Sequence, residues 1–297
     1  MFNSARNNQF QEYTKARNYF ITNFTQLIEL EQKLTNYLYS ILSHNIAEIT
    51  RDYNEASALF PFWQQYPPDE RGRKPVGDQY PWIEVGEHAI GDKLPRLLEK
   101  DFEIRDPGLP SGPDKRFLIK DKEIQRITNN LTDSVWLFVD IKSVGPRDDF
   151  DHTVMSHNQI TGDGVWDTID TGIKNSILIA KGRNTQHNFH CAIPPIYVLS
   201  DGTVAPVITI ALKPVYSMLS LKTPGNTGGQ PLSRITLAAI PNGLLLLENP
   251  KYLATYPHLF FPGKDDKGKN PLKVRCRVDF AILKKIDAWR VQDLHIK

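Results

Sequence analysis

Apolar residues in the first fifty positions recur at steps of three and four. Phe20, Phe24, Leu27, Ile28, Leu34, Leu38, Ile41, Leu42, Ile46 and Ile49 form one stripe within residues 19–49, with polar residues between them and no proline. This period predicts an N-terminal helical segment within residues 1–60, either one long helix or two in succession. A proline-rich stretch at 61–81 also carries Phe62, Trp63, Tyr66 and Tyr80, and reads as an ordered, aromatic loop. Beyond it a short helix is expected at 82–98, a loop at 106–113 and a helix at 120–130.

The pattern changes at Val135, where VWLFV runs to Val139 without a polar residue. Five residues of β-branched and aromatic character fit a strand buried on both faces. Further strands are expected at 176–180, 196–199, 204–212, 234–240 and 273–280. Helices and strands are interspersed, which predicts an α/β fold: a mixed β-sheet flanked by helices.

Composition narrows the class. The chain has 297 residues, 40% hydrophobic and 24% charged, ordinary values for a globular protein. It has no apolar run of eighteen residues to span a membrane, and the first twenty residues are too polar for a secretion signal. Cys191 and Cys276 lie far apart and outside any CxxC spacing, which argues against a disulfide framework or zinc site and for a reducing cytoplasm. Net charge is only +2, but residues 251–297 hold eleven Lys/Arg against five Asp/Glu. That basic end is compatible with a DNA-facing surface, although a solvated tail would look the same.

Chemistry concentrates where the VWLFV run ends, at Asp140-Ile141-Lys142. Alternate residues of a strand share a face, so Asp140 and Lys142 point together, at a half-sheltered rim, while Ile141 enters the core. Pro113-Asp114 supplies a second carboxylate 26 residues upstream. Two converging carboxylates, with the Ile141 carbonyl as a further ligand, make a hard oxygen site for Mg²⁺. Such a site suits phosphodiester hydrolysis, with Lys142 positioning water or offsetting charge on phosphorus. Spacing by itself is weak evidence. The same short patterns recur at Pro68-Asp69, at residues 31–33 and at residues 265–267, and a salt bridge between Asp140 and Lys142 is the simpler alternative. Only Asp140-Ile141-Lys142 follows a buried strand.

Other candidates are weaker. Glu84 and Glu87 would share a helix face and add an acidic group, or be a solvated surface. His187, His190 and Cys191 lack a second ligand pair and read as loop residues. GNTGGQP at 225–231 lacks the Gly-Lys-Ser/Thr ending of a phosphate loop, so no nucleotide cofactor is expected. In LKVRCRVDF, Lys273, Arg275, Arg277 and Asp279 fall on one face by period two, and Val274, Cys276 and Val278 on the other. Lys264, Asp265 and Asp266 lie just upstream. Arg and Lys donate to guanine and Asp accepts from cytosine, so a surface mixing them suits G·C pairs, whereas aspartates repel a phosphate backbone. A strand with alternating surface salt bridges is the structural alternative.

As a set these residues resemble the BglI-type restriction endonucleases. The resemblance runs from about Asp52 to near the C-terminus. It is carried by DYNEA (52–56), PFW (61–63), PWIEVGE (81–87), GLPSGPD (108–114), FVDIKSVGPRD (138–148), LSDGTVAPV (199–207), PNGL (241–244), PGKDD (262–266) and RCRVD (275–279). It implies the PD-(D/E)xK core within a single domain at 1–297, with an N-terminal helical region (1–60), a catalytic core (80–215) and a DNA-recognition segment (250–297). Asp114, Asp140 and Lys142 fall on the family's catalytic positions, with Glu87 close to them in sequence order. Lys264, Asp266, Arg275 and Arg277 fall on its base-reading positions, and Asp148 is a further candidate contact. The resemblance also implies a Mg²⁺-dependent homodimer in a prokaryotic cytoplasm. It would cut double-stranded DNA at GCC half-sites around an unspecified spacer, leaving 5′-phosphates and 3′ overhangs. Two departures stand out: Cys276 lies between the arginines and should face the core, and Lys115 follows Asp114 as a candidate phosphate contact. A structure-specific or repair nuclease of the same fold, or a catalytically silent DNA-binding protein, are the alternatives.

Overall fold

The computed structural model describes residues 2–59, 85–144, 150–167, 172–217, 231–263 and 274–296. The proline-rich stretch, most of the 225–231 loop, Glu84, Asp148, Lys264 and Asp266 lie outside the described residues.

The N-terminal region is three helices, α1 (Phe2–Thr22), α2 (Phe24–His44) and α3 (Ile46–Ala58), broken at Asn23 and Asn45. At both breaks the asparagine amide turns back onto the preceding helix, Asn23 donating to the Tyr19 carbonyl at 2.8 Å and Asn45 to that of Ile41 at 2.7 Å. Those bonds satisfy carbonyls that a helix end leaves open. The apolar stripe is real: Leu27, Leu34, Leu38 and Leu42 are buried, together with Leu30. Helix α1 begins well before the stripe because tertiary bonds fix it, the Tyr13 hydroxyl donating to the Gly164 carbonyl at 2.7 Å and Arg17 Nε to that of Asp163 at 2.7 Å.

The expected helix at 82–98 is divided into α4 (Val85–Ala89), a 3-10 turn (Gly91–Lys93) and α5 (Leu94–Leu98). Helix α6 (Lys122–Ile127) is shorter than expected. Asp121 caps its start by accepting from the Glu123 amide at 2.7 Å, and Asn129 and Asn130 stop it at φ 49° and 63°.

The strands in chain order are β1 (Glu103–Arg105), β2 (Lys115–Lys120), β3 (Ser134–Ile141), β4 (His152–Met155), β5 (Val165–Asp167), β6 (Gly172–Lys174) and β7 (Ile177–Lys181). They continue with β8 (Gln186–His190), β9 (Ile196–Val198), β10 (Val204–Tyr216), β11 (Leu232–Ile240), β12 (Phe260–Pro262), β13 (Cys276–Asp279) and β14 (Val291–His295). The main sheet runs β1-β2-β3-β10-β11-β14, with β9 also paired to β10. Within it β3 and β10 are parallel and the other pairs antiparallel, so the sheet is mixed. The strands that complete it, β11 and β14, come from beyond residue 215.

Strand β3 explains the unbroken VWLFV run. Val135, Leu137, Val139 and Ile141 enter the large core that the N-terminal helices cover, whereas Trp136 and Phe138 enter a second core with Leu118, Ile193 and Val207. Both faces of the strand are therefore dry, and no alternation survives in its sequence.

A separate three-stranded sheet, β12-β13-β4, stands beside the main one. Lys213 on β10 ties the two together: its ammonium donates to the His152 carbonyl of β4 at 2.6 Å and lies 5.6 Å from the centre of the Phe280 ring. Strand β13 is shorter than the 273–280 expectation, because Phe280 opens helix α8 (Phe280–Ile286) and Asp279 caps it, accepting from the Ile282 amide at 2.9 Å. Helix α7 spans Lys251–Thr255, before β12.

One buried ion pair links the two ends of the chain. Arg290 and Glu31, both buried, meet at 2.8 Å, and the Asn242 amide donates to the other Glu31 oxygen at 2.7 Å. Glu31 thus has a structural partner far from the catalytic strand, in keeping with its place among the chance matches. No helix among the described residues is long and apolar enough to cross a membrane, and Cys191 and Cys276 are free and buried.

Candidate active site and DNA-facing strand

Asp140 lies within β3, where a rim position was expected, and is 0% exposed. Strand pairing explains the difference: β2 and β10 flank β3 and Ala211 of β10 stands level with Asp140. Lys142 is one step past the strand on the same face, its side chain 32% exposed and its ammonium 3.1 Å from Asp140 Oδ1. Ile141 points to the opposite, helix-covered core. The salt bridge and the candidate site are therefore the same pair of groups.

Asp114 arrives from β2. Lys115 pairs with Val139, which sets Asp114 one step on, beside Asp140. Asp114 Oδ2 accepts from the Ile141 backbone amide at 2.6 Å. The loop leading to it turns at Gly112, at φ 141°, and is held by Arg116 donating to the Pro113 carbonyl at 3.0 Å. Burial pushes the Asp140 carboxyl up to about 6; Lys142 opposes the rise and the charge of Asp114 adds to it.

The two carboxylates fit a hard divalent cation. Asp140 Oδ1 takes two donors, Lys142 Nζ and Gln159 Nε2, whereas Asp140 Oδ2 is buried with no hydrogen-bond partner. A buried carboxylate oxygen without a donor is costly unless a cation completes it. Glu87 stands on α4. Among the described residues no group of three or more His, Cys, Asp or Glu side chains could hold a metal ion. What its helix contributes is packing. A Cβ on Gly86 would stand 2.1 Å from Ser143 Oγ and one on Gly91 2.7 Å from Ile141 Cδ1, so both glycines let the α4 segment lie against the strand end. Lys115, the expected phosphate contact, bonds Asp92 at 2.5 Å, with its side chain still 26% exposed.

Gln159 is a member of this site that sequence reasoning missed. It is one of several polar residues in a loop with no motif around it, and only the fold brings it to Asp140.

The DNA-facing candidates lie on the separate sheet. Val274, Cys276 and Val278 are buried while Arg275, Arg277 and Asp279 are partly exposed, as the period-two reading requires. Cys276 faces the core. Arg277 Nη1 donates to the Pro262 carbonyl at 2.9 Å, and the guanidinium lies 5.9 Å from the centre of the Phe261 ring. Asp279 leaves the candidate reading face, being engaged as the α8 cap.

A mixed sheet flanked by helices, with an N-terminal helical segment, is the architecture of the PD-(D/E)xK restriction endonucleases, and the comparison with a solved structure bears this out. The crystal structure of the restriction endonuclease BglI bound to its DNA recognition sequence is 45% identical, with a TM-score of 0.91 over 99% of both chains. The family model of restriction endonuclease BglI matches residues 8–294. The type II restriction enzyme BglI of Bacillus subtilis is 47% identical over 290 residues, 96% of each chain. The chain belongs to the BglI restriction endonuclease family.

Proposed function

We propose that this family member is a Mg²⁺-dependent type II restriction endonuclease acting as a homodimer on double-stranded DNA. Its site would be an interrupted, GC-rich palindrome, with GCC half-sites around an unspecified spacer. The products would be 5′-phosphates and 3′ overhangs. The observation that carries this reading is the convergence of Asp114, Asp140 and Lys142 at the end of one buried strand, with Asp140 Oδ2 unpartnered.

Asp114, Asp140 and the Ile141 carbonyl are the groups that would hold the ion. When bound, a hard divalent cation there supplies Lewis acidity to the scissile phosphate. Lys142, partly exposed, is placed to orient an attacking water or to donate to a phosphate oxygen as negative charge builds. The buried floor of Trp136 and Phe138, on the same strand face, keeps solvent from the inner side of the site. Arg275, just before β13, and Arg277 on it, with Lys264, Asp266 and Asp148, are the proposed base-reading groups, their donors and acceptors matched to G·C edges. Two-fold protein symmetry would match a two-fold symmetric site, each subunit cutting one strand. The solved BglI relative is bound to DNA, which supports double-stranded DNA as the partner here.

The test is digestion of a sequenced plasmid with purified protein in Mg²⁺, reading every cut end, beside Asp140→Asn and an EDTA control. Discrete fragments with 3′ overhangs inside a G·C-flanked interrupted palindrome, lost with EDTA and in the variant, are expected. Scattered nicks would favour a structure-specific nuclease. Retardation of DNA without cleavage, in Mn²⁺ as well, would favour a binding protein.

A further inference from the structure

Asp140 Oδ1 receives its two donors from different parts of the chain. Lys142 is its near neighbour, one step past the strand end, but Gln159 reaches it from the loop after β4. Gln159 is 7% exposed, and both ends of its amide are used. Its Oε1 accepts from the Ser156 backbone amide at 2.7 Å, while its Nε2 donates to Asp140. A backbone N–H can only donate, so the amide oxygen must face Ser156, and the NH₂ group is thereby turned onto the carboxylate. The Gln159 backbone N–H donates to the Ser156 carbonyl at 3.0 Å, closing the turn on itself.

Ser156 directly follows β4, and the last residue of β4, Met155, pairs with Cys276. Cys276 lies between Arg275 and Arg277. One unbroken series of bonds therefore runs from the candidate base-reading strand to the candidate catalytic carboxylate: β13 to β4 by strand pairing, β4 to Gln159 through Ser156, and Gln159 to Asp140. A neutral amide suits that last link. It fixes one carboxylate oxygen without adding a second cation, so the negative charge stays available to an incoming ion and the free Oδ2 is aimed. A shift of β4 as its partner strand seats on DNA would be passed to the carboxylate directly.

We propose that Gln159 is a positioning residue that aims Asp140 and links its placement to the seating of the recognition strand. The inference rests on the reading of Asp140 as an ion-holding carboxylate.

The test uses full-length protein with Gln159→Leu, Gln159→Glu, Arg275→Ala and the double variant Gln159→Leu/Arg275→Ala. Calorimetry measures Ca²⁺ binding to each enzyme–DNA complex, and single-turnover assays measure cleavage in Mg²⁺. Gln159→Leu should weaken Ca²⁺ affinity, and both Gln159 variants should slow cleavage, by about 10- to 100-fold, the usual consequence of removing a hydrogen-bond partner from a metal ligand. Arg275→Ala should cost less cleavage in the Gln159→Leu background than alone, because the link it acts through is already cut. Unchanged Ca²⁺ affinity, or strictly additive losses, would overturn the proposal. Gln159→Glu keeps the shape and the acceptor for Ser156, so it carries the test if Gln159→Leu fails to fold; wild-type behaviour in it would overturn the proposal equally. Asp140→Asn separates the two readings: if it still binds the ion and cuts, the active-site reading itself fails, whatever the Gln159 variants do.

Discussion

Removing the Arg290 side chain isolates the value of the pair that joins the two ends of the chain. In Arg290→Met, Glu31 keeps only the Asn242 amide as its donor and loses a guanidinium 2.8 Å away. The variant also loses the bond from Arg290 to the Tyr252 hydroxyl at 3.1 Å and the stacking on Trp289, 4.4 Å from guanidinium to ring centre. Breaking one side of a pair this deeply buried costs about 3–5 kcal/mol, a large part of the about 5–15 kcal/mol that holds most folded domains. At about 2–4 °C per kcal/mol the midpoint should fall by on the order of 10 °C. The double variant Glu31→Leu/Arg290→Met strands no buried charge, leaving only Asp287, 35% exposed, without its arginine, and should recover most of the loss.

The loss should also depend on pH. Burial already holds the Glu31 carboxyl above its ordinary range while Arg290 pulls it down, so removing the arginine moves it further up. The folded variant then binds a proton that the unfolded chain has released, and its stability falls as pH rises through that interval. Its deficit against wild type therefore grows as pH rises, and the Glu31 part of it fades as pH falls to where the carboxyl is protonated in both folded proteins. Urea unfolding followed by circular dichroism at both ends of that range measures all three quantities. A loss under about 1 kcal/mol, or a double variant as unstable as the single one, would refute the reasoning.

Three further outcomes are expected. Gly86→Ala drives a methyl to 2.1 Å from Ser143 Oγ and 3.0 Å from Pro214 Cγ, and should cost about 1–3 kcal/mol in a melt while slowing cleavage, since Ser143 follows Lys142. Arg275→Ala should cost about 1–3 kcal/mol of discrimination at one base pair in binding assays across altered sites, whereas a uniform loss would make it a phosphate contact. Burial pushes the Cys191 thiol up to about 12 and Cys276 is fully buried, so neither should react with a thiol reagent at pH 8 until denaturant is added. Rapid labelling of the native protein would contradict that burial.

Much of the site was legible in the sequence because its residues sit on a strand with a distinctive context. VWLFV favoured a doubly buried strand, and the alternation of any strand placed Asp140 and Lys142 on one face and Ile141 on the other. The alternation of Val274, Cys276 and Val278 with the arginines was equally readable, since one face of that strand is core and the other is not. Strands β1, β2, β4, β5, β6, β8, β12 and β14 were missed because they are short or carry polar residues that only pairing makes extended. Helix α1 was missed at its start for a related reason: its early residues carry little apolar period, and bonds to residues 163 and 164 hold it.

Tertiary structure alone decided the rest. Nothing in the spacing from Asp140 to Gln159 announces a hydrogen bond, because the connection depends on β4 crossing to pair with β13. Nor does any local feature couple Glu31 to Arg290 across the length of the chain. Local pattern records which face of an element is dry, since burial selects residue type position by position. Which polar groups meet across elements is set by how the elements pack, and leaves no period in the chain.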